Sequence, residues 1–227
     1  MGENVRFPAN GGQADGYLTV PPSGRGPGVV VIQEYWGLND QIKGVADMFA
    51  EEGFTALAPD FYGGKAAAIG EPDKAQKLMM ELQGDQAAQV ARGAAEYLLG
   101  QRVVSAKKVG VIGFCMGGGL ALLTASVAPD SVGAVVDCYG VGPQKPNDVS
   151  AIRAAVLGIF GGEDTISPET ISALGRDLTS AGATFEHHVY PEAGHAFLNE
   201  QRRDTYREAD ARDAWGRILS FMRLHLG

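Results

Sequence analysis

Cysteine is scarce: the 227 residues carry two, Cys115 and Cys138, too few for a disulfide framework and set in unlike surroundings. That excludes a small disulfide-stapled scaffold and points to a reducing, cytoplasmic compartment. Long basic runs are absent, none exceeding the pairs Lys107-Lys108 and Arg202-Arg203, and the formal charge is −8. Nucleic acid, which draws on a concentrated basic surface, is not an expected partner. No stretch approaches the ~20 apolar residues of a membrane span, and residues 1–6 lead into no apolar signal core, so no membrane partner is expected. Repeats, low-complexity tracts and interdomain linkers are missing. A single core stays efficient to roughly 250 residues, so residues 1–227 are expected to form one domain. His187 and His188 alternate in a strand-like segment without acidic or Cys companions, a poor metal site.

What is present is an apolar fraction of 45% and 32 glycines, the balance of a folded α/β chain with many tight turns. Residues 28–33 are a short β-branched run, residues 40–52 carry apolar positions at helical spacing, and residues 54–58 read as the next strand, together a βαβ unit. Two helical patterns follow over 71–82 and 86–99. A buried strand over 108–113 leads into Cys115, with helix from 120 to 127. Strands are read at 132–138, 155–160 and 184–190, and helices at 167–180 and 202–226, the charged stretch from Glu200 to Asp213 forming the solvated face of the last helix. Residues 5–20 suggest an antiparallel edge hairpin with Asp15-Gly16 inside it. Near-continuous apolar strands separated by helices imply a mostly parallel sheet covered on both faces. In such sheets ligands bind beyond the carboxyl ends of the strands.

The sharpest signal is Gly113-Phe114-Cys115-Met116-Gly117-Gly118-Gly119, a G-x-nucleophile-x-G elbow with cysteine in the place of the commoner serine. Small flanking residues let the chain turn tightly, and the following helix N-terminus favours a thiolate and a developing oxyanion. Phe160-Gly161-Gly162-Glu163-Asp164 ends one strand with a carboxylate, and Tyr190-Pro191-Glu192-Ala193-Gly194-His195 ends the last with an imidazole. Nucleophile, acid and base in that chain order is the α/β-hydrolase order. His195 would generate the attacking thiolate and Asp164 would orient the imidazole. The alternatives are that Asp164 caps the helix before Ser167-Pro168 and that His195 binds nothing.

These segments, with Gln33-Glu34-Tyr35-Trp36-Gly37-Leu38, Ala58-Pro59-Asp60-Phe61-Tyr62 and Ala193-Gly194-His195-Ala196-Phe197, resemble the dienelactone hydrolase (carboxymethylenebutenolidase) family over residues 5–224. The resemblance implies an α/β-hydrolase fold without a separate lid domain, a Cys115-Asp164-His195 triad, no metal and no organic cofactor. It implies that Glu34 holds the thiol proton in the resting enzyme, the alternative being that Glu34 caps the helix starting near Asn39. It also implies an oxyanion hole from the backbone N–H groups of Tyr35 and Met116. Trp36, Lys77, Tyr139 and Phe197 are the expected substrate-binding residues, and Cys138 is read as structural.

The chain departs from the family where its members bind a substrate carboxylate with arginines. The position three after His195 is Leu198, and the segment Gly70–Lys77 offers Lys74 and Lys77 but no arginine. An ammonium lacks the planar fork that grips a carboxylate. Dienelactone itself is therefore not the expected substrate, and the expected partner is a small ester or lactone, the protein acting as a monomer or weak homodimer. Two other readings remain: a cysteine peptidase-like enzyme, and a non-catalytic redox or electrophile sensor built on Cys115.

Overall fold

The computed structural model describes residues 2–141 and 148–227. The chain runs β1 (Glu3–Ala9), β2 (Gly12–Thr19), β3 (Gly28–Ile32), α1 (Asp40–Glu51), β4 (Thr55–Pro59), α2 (Pro72–Glu81), α3 (Gly84–Leu99), β5 (Val109–Phe114), α4 (Met116–Val127), β6 (Val132–Cys138), β7 (Ala155–Gly161), α5 (Pro168–Ser180), β8 (Phe185–Tyr190) and α6 (Glu208–Leu226). The eight strands of the described residues form one open sheet in the order β1-β2-β4-β3-β5-β6-β7-β8. From β4 to β8 every pairing is parallel, and β2 alone runs against the sheet, antiparallel to both β1 and β4. This is the α/β architecture anticipated from near-continuous apolar strands. Strands β3, β5 and β7 are buried along their whole length, as strands covered on both faces must be.

The two faces carry separate apolar cores. α1 and α6 bring Val45, Phe49, Ile218 and Phe221 to one face. On the other, α3, α4 and α5 bring Ala91, Leu98, Leu120 and Leu174. α2 belongs to neither. Its buried Ala75 and Leu78 pack instead on Trp36, Tyr62 and Met116, at the carboxyl end of the sheet. Among the described residues no helix is long and apolar enough to cross a membrane.

Three boundaries differ from the sequence reading. The edge hairpin turns at Asn10-Gly11, not at Asp15-Gly16: both turn residues have positive φ (48° and 73°), the requirement of a two-residue hairpin turn, and Asn-Gly meets it best. Gly16 lies within β2, where a side chain would strike the Ala58 carbonyl. α4 begins at Met116 rather than at residue 120, because its glycines form the first turn rather than a loop. α6 begins at Glu208 rather than at residue 202. Residues 202–207 hold no apolar face, and their backbone folds into turns, Tyr206 N–H donating to the Arg202 carbonyl at 2.7 Å and Arg207 N–H to that of Phe197 at 3.2 Å.

Asp137, near the end of β6, stands between Gly113 of β5 and Gly158 of β7 in the sheet register. Its carboxyl is fully buried against Gly118 and Gly140, and neither oxygen meets a hydrogen-bond partner among the described residues. Burial pushes its pKa up to about 7 from 3.8, the Gly140 N–H opposing the shift. The folded state thus holds a proton that the unfolded chain releases. This group's contribution to stability is present below pH 3.8 and is lost as the pH rises through about 7. Asp137→Asn should flatten the dependence of melting temperature on pH between 4 and 8. Parallel wild-type and variant curves would show that the carboxyl titrates normally.

Candidate active site

The sheet's carboxyl edge gathers the residues that the motifs single out. Cys115 occupies the one-residue step between β5 and α4 with φ 56° and ψ −125°, a conformation that costs a non-glycine residue about 1–3 kcal/mol. The local sequence leaves no other course. A side chain on Gly113 would collide with the backbone of Gly117, and one on Gly117 would come within 2.5 Å of the Gln33 carbonyl. β5 and α4 therefore cross at backbone contact. The elbow is pinned by Cys115 N–H donating to the Cys138 carbonyl and Gly118 N–H donating to the Cys115 carbonyl, each at 3.0 Å.

Asp164 and His195 are brought together by the turns that follow β7 and β8. Gly162 N–H donates to the Tyr190 carbonyl (2.7 Å) and Glu163 N–H to that of Ala193 (2.9 Å), stitching the two segments side by side. Side chains on Gly161 or Gly162 would strike Ala193 or Pro191. Asp164 Oδ2 then lies 2.8 Å from His195 Nδ1, while Oδ1 accepts the Thr165 N–H at 2.6 Å. The carboxylate is sealed, its side chain 1% exposed, whereas the imidazole is 41% exposed. Burial works against a charged imidazole, but hydrogen bonding to Asp164 and to Cys115, with the charges of both, raises the His195 pKa to about 10. Burial likewise opposes ionisation of Asp164, and its bonds to His195 and Thr165 overcome this and lower its pKa. Asp164 does not cap the next helix, since Ser167 does so, accepting from Thr170 N–H.

Glu34 follows β3 and is 2% exposed. It is not a helix cap either: Asn39 caps α1, accepting the Ile42 N–H at 3.1 Å. Its Oε2 accepts from Asn199 Nδ2 at 2.8 Å, and its Oε1 accepts from the Tyr139 hydroxyl at 3.5 Å. Burial raises its pKa, and Asn199, His195, Arg202 and Tyr139 counter this only in part. No described hydrogen bond joins Glu34 to Cys115. Gly37 N–H donates to the Glu34 carbonyl at 3.2 Å and closes a turn that carries Tyr35. The backbone N–H groups of Tyr35 and Met116 have no acceptor among the described residues.

Other expected residues stand elsewhere. Tyr139 and Phe197 do not line a cleft: they are 1% and 0% exposed, because their rings turn inward beneath the imidazole. Tyr139 meets His195 edge-on, with ring centroids 5.2 Å apart, and Phe197 packs behind it at 5.9 Å. Trp36, 2% exposed, packs with its ring tilted against Tyr35 within the cluster under α2. Lys77 lies on the exposed face of α2, and no described ion pair joins it to the triad residues; Lys74 pairs with Glu71 at 3.3 Å. Among the described residues no group of three or more His, Cys, Asp or Glu could hold a metal ion.

Asn199 and Arg202 were not singled out from the sequence. Asn199 is fully buried and its partner is 165 positions away, so no local pattern could signal it. Arg202 is the cation whose field reaches Glu34 and Tyr35, although it was read as part of a solvated helix face.

This geometry has close relatives. The Dienelactone hydrolase family profile matches residues 14–226. "Protein usf" of Aquifex pyrophilus is 37% identical over 233 residues, covering 100% of both chains. The Aquifex aeolicus protein named "Putative carboxymethylenebutenolidase" is 34% identical, again with 100% of each chain covered. The Klebsiella pneumoniae crystal structure named "Putative Dienelactone Hydrolase" superposes with a TM-score of 0.85 at 29% identity, covering 98% of each chain. With its α/β sheet, its elbow and this full-length likeness, the chain belongs to the dienelactone hydrolase family.

Proposed function

We propose that this hydrolase cleaves a lactone or small carboxylic ester through a thioester on Cys115, with His195 as the proton carrier and Asp164 as its orienting partner. The observation that carries the reading is the contact series at the sheet edge. A strained elbow cysteine adjoins an imidazole whose far nitrogen lies 2.8 Å from a sealed carboxylate. In the first step the Cys115 sulfur bonds to the acyl carbon and the carbonyl electron pair moves onto oxygen, between the Tyr35 and Met116 N–H groups. When the carbonyl reforms, the alkoxide leaves with a proton from His195. In the second step His195 takes a proton from water as the water oxygen bonds to the acyl carbon. Cys115 then departs as thiolate and the acid is released.

Glu34, buried among neutral hydrogen-bond partners, suits a carboxyl that accepts the thiol proton in the resting enzyme. Its present bonds run to Asn199 and Tyr139, so that role requires a swing of the side chain. Arg202 is already held by Asp204 through two bonds of 3.0 and 2.9 Å. An anionic group on the substrate would have to compete with Asp204 for Arg202, so the preferred substrates are uncharged.

Cys115→Ala should lower turnover of p-nitrophenyl acetate and of simple lactones at least ~10³-fold, with Cys115→Ser retaining a fraction, as expected when a nucleophile is removed. Full activity in the alanine variant removes the thioester mechanism, and reversible oxidation of Cys115 without turnover of any ester favours a sensor instead. A second test follows the imidazole by proton NMR. Its raised pKa means the folded protein keeps a proton that the unfolded chain loses, so the stabilisation is complete below pH 6.5 and is lost as the pH rises through about 10. Asp164→Asn should move the His195 midpoint back toward 6.5 and cut kcat by ~10²- to 10⁴-fold. An unchanged midpoint would show that Asp164 does not act on the imidazole.

A further inference from the structure

The two proposed oxyanion donors come from segments distant in the chain. Tyr35 lies in the turn after β3, and Met116 opens α4. Two N–H groups can share one oxygen only if those segments keep a fixed separation, since donors must lie about 2.7–3.1 Å from the oxyanion. One side chain touches both. The Tyr62 hydroxyl is 3.3 Å from the Tyr35 carbonyl oxygen and 3.5 Å from Met116 Sδ. A phenol has one proton and two lone pairs, so it donates to the carbonyl and rests against the sulfur.

Tyr62 is itself held from behind. It is 8% exposed, in the cluster where Ala75 and Leu78 of α2 cover it. Asp60 accepts the Tyr62 N–H at 2.9 Å with one oxygen and the Gly64 N–H at 2.5 Å with the other, fixing the loop after β4. Ala67 N–H donates to the Trp36 carbonyl at 2.9 Å, tying that loop to the turn after β3. A side chain on Gly37 would meet the Lys65 carbonyl at 2.9 Å and the Tyr62 ring at 3.2 Å, so the two loops pack at backbone distance.

We propose that Tyr62 is a positioning residue of the oxyanion hole: its hydroxyl braces the Tyr35 turn against Met116 at the start of α4, so that the two N–H groups converge on one oxygen. It touches no reacting atom. The inference rests on the thioester reading above and goes beyond it by assigning the separation of the donors to a third segment.

Tyr62→Phe removes the hydroxyl and keeps the ring that α2 covers. With p-nitrophenyl acetate, kcat should fall about 10-fold, less than the ~10²- to 10³-fold lost when an oxyanion donor itself is removed, while KM stays within twofold. An aryl trifluoromethyl ketone supplies a second readout. The Cys115 thiolate adds to its carbonyl carbon, an S–C bond forms, the C=O π pair moves onto oxygen, and that oxyanion occupies the hole. Its affinity should fall by the same factor as kcat. The rate of Cys115 alkylation by iodoacetamide, which builds no oxyanion, should not change. A merely structural role for Tyr62 would alter alkylation and KM together.

Wild-type kcat and ketone affinity in Tyr62→Phe would overturn the inference while leaving the triad intact. Loss of ketone binding in Cys115→Ala confirms that the probe reports on the thioester site. A ketone that binds Cys115→Ala as well as wild type would sink the triad reading and this inference with it. Should Tyr62→Phe melt below assay temperature, Asp60→Asn loosens the same loop without altering the ring. The same pattern at a few-fold size is then expected, and unchanged kcat would overturn the brace.

Discussion

Cys115 cannot relax into an ordinary turn, because the backbones on either side of it are in contact. The contact between β5 and α4 admits no side chain at Gly113, and the first turn of the helix lies against Gln33 at Gly117 and against Asp137 at Gly118. The ~1–3 kcal/mol stored in the φ 56° conformation is sustained by that packing, since a strained residue persists only where its surroundings over-determine it. Relaxing the elbow would require α4 to lift from β3, β5 and β6 at once, opening the apolar core that Leu120 and Leu122 share with those strands. The sulfur is therefore presented by the fold as a whole rather than by a local motif.

Three carboxyls at the same edge of the sheet behave differently, and their neighbours account for it. Asp164 is sealed, but the imidazole and the Thr165 N–H favour its charge, and its pKa is lowered. Glu34 is equally dry, yet its hydrogen-bond partners are a neutral amide and a phenol, and its pKa is raised. Asp137 has neither, and burial takes it up to about 7 against the opposing Gly140 N–H. Desolvation acts on all three in one direction; the presence and charge of a partner decide the outcome. Identical functional groups a few residues from strand ends of one sheet thus differ in how readily they ionise.

How far all this was legible in the sequence depended on whether each feature was local. The βαβ rhythm, the strand ends and the elbow are local patterns, and the sheet places Cys115, Asp164 and His195 along one edge as their positions after β5, β7 and β8 require. Direction was not legible. Trp36, Tyr139 and Phe197 were read as lining residues because they follow strands, yet a strand end says nothing about which way a ring turns, and here all three turn into the core. The Asn199–Glu34 bond spans 165 residues and leaves no local trace. Arg202 was hidden for a related reason. A charged stretch beside a helical pattern reads as more helix, and only the missing apolar face distinguishes it from the turns that carry Arg202 toward Glu34. At Asn10-Gly11 the signal was present, and only its competition with a second turn-like pair obscured it.

The same burial that removes those aromatic rings from the cleft gives the site a dry side and a wet side. Tyr139 closes one edge of the imidazole with Phe197 packed behind it, and Asp164 is closed to water, while the His195 side chain stays partly open. A low-dielectric floor strengthens the bond between carboxylate and imidazole, which in open solvent would contribute little. On the mechanism proposed above, an imidazole left partly open to solvent can meet the water that the second step consumes. Were the imidazole buried as deeply as its carboxylate, the proposed thioester would lack a route for that water. Were the carboxylate as open as the imidazole, solvent would screen the charge that keeps His195 protonated and oriented.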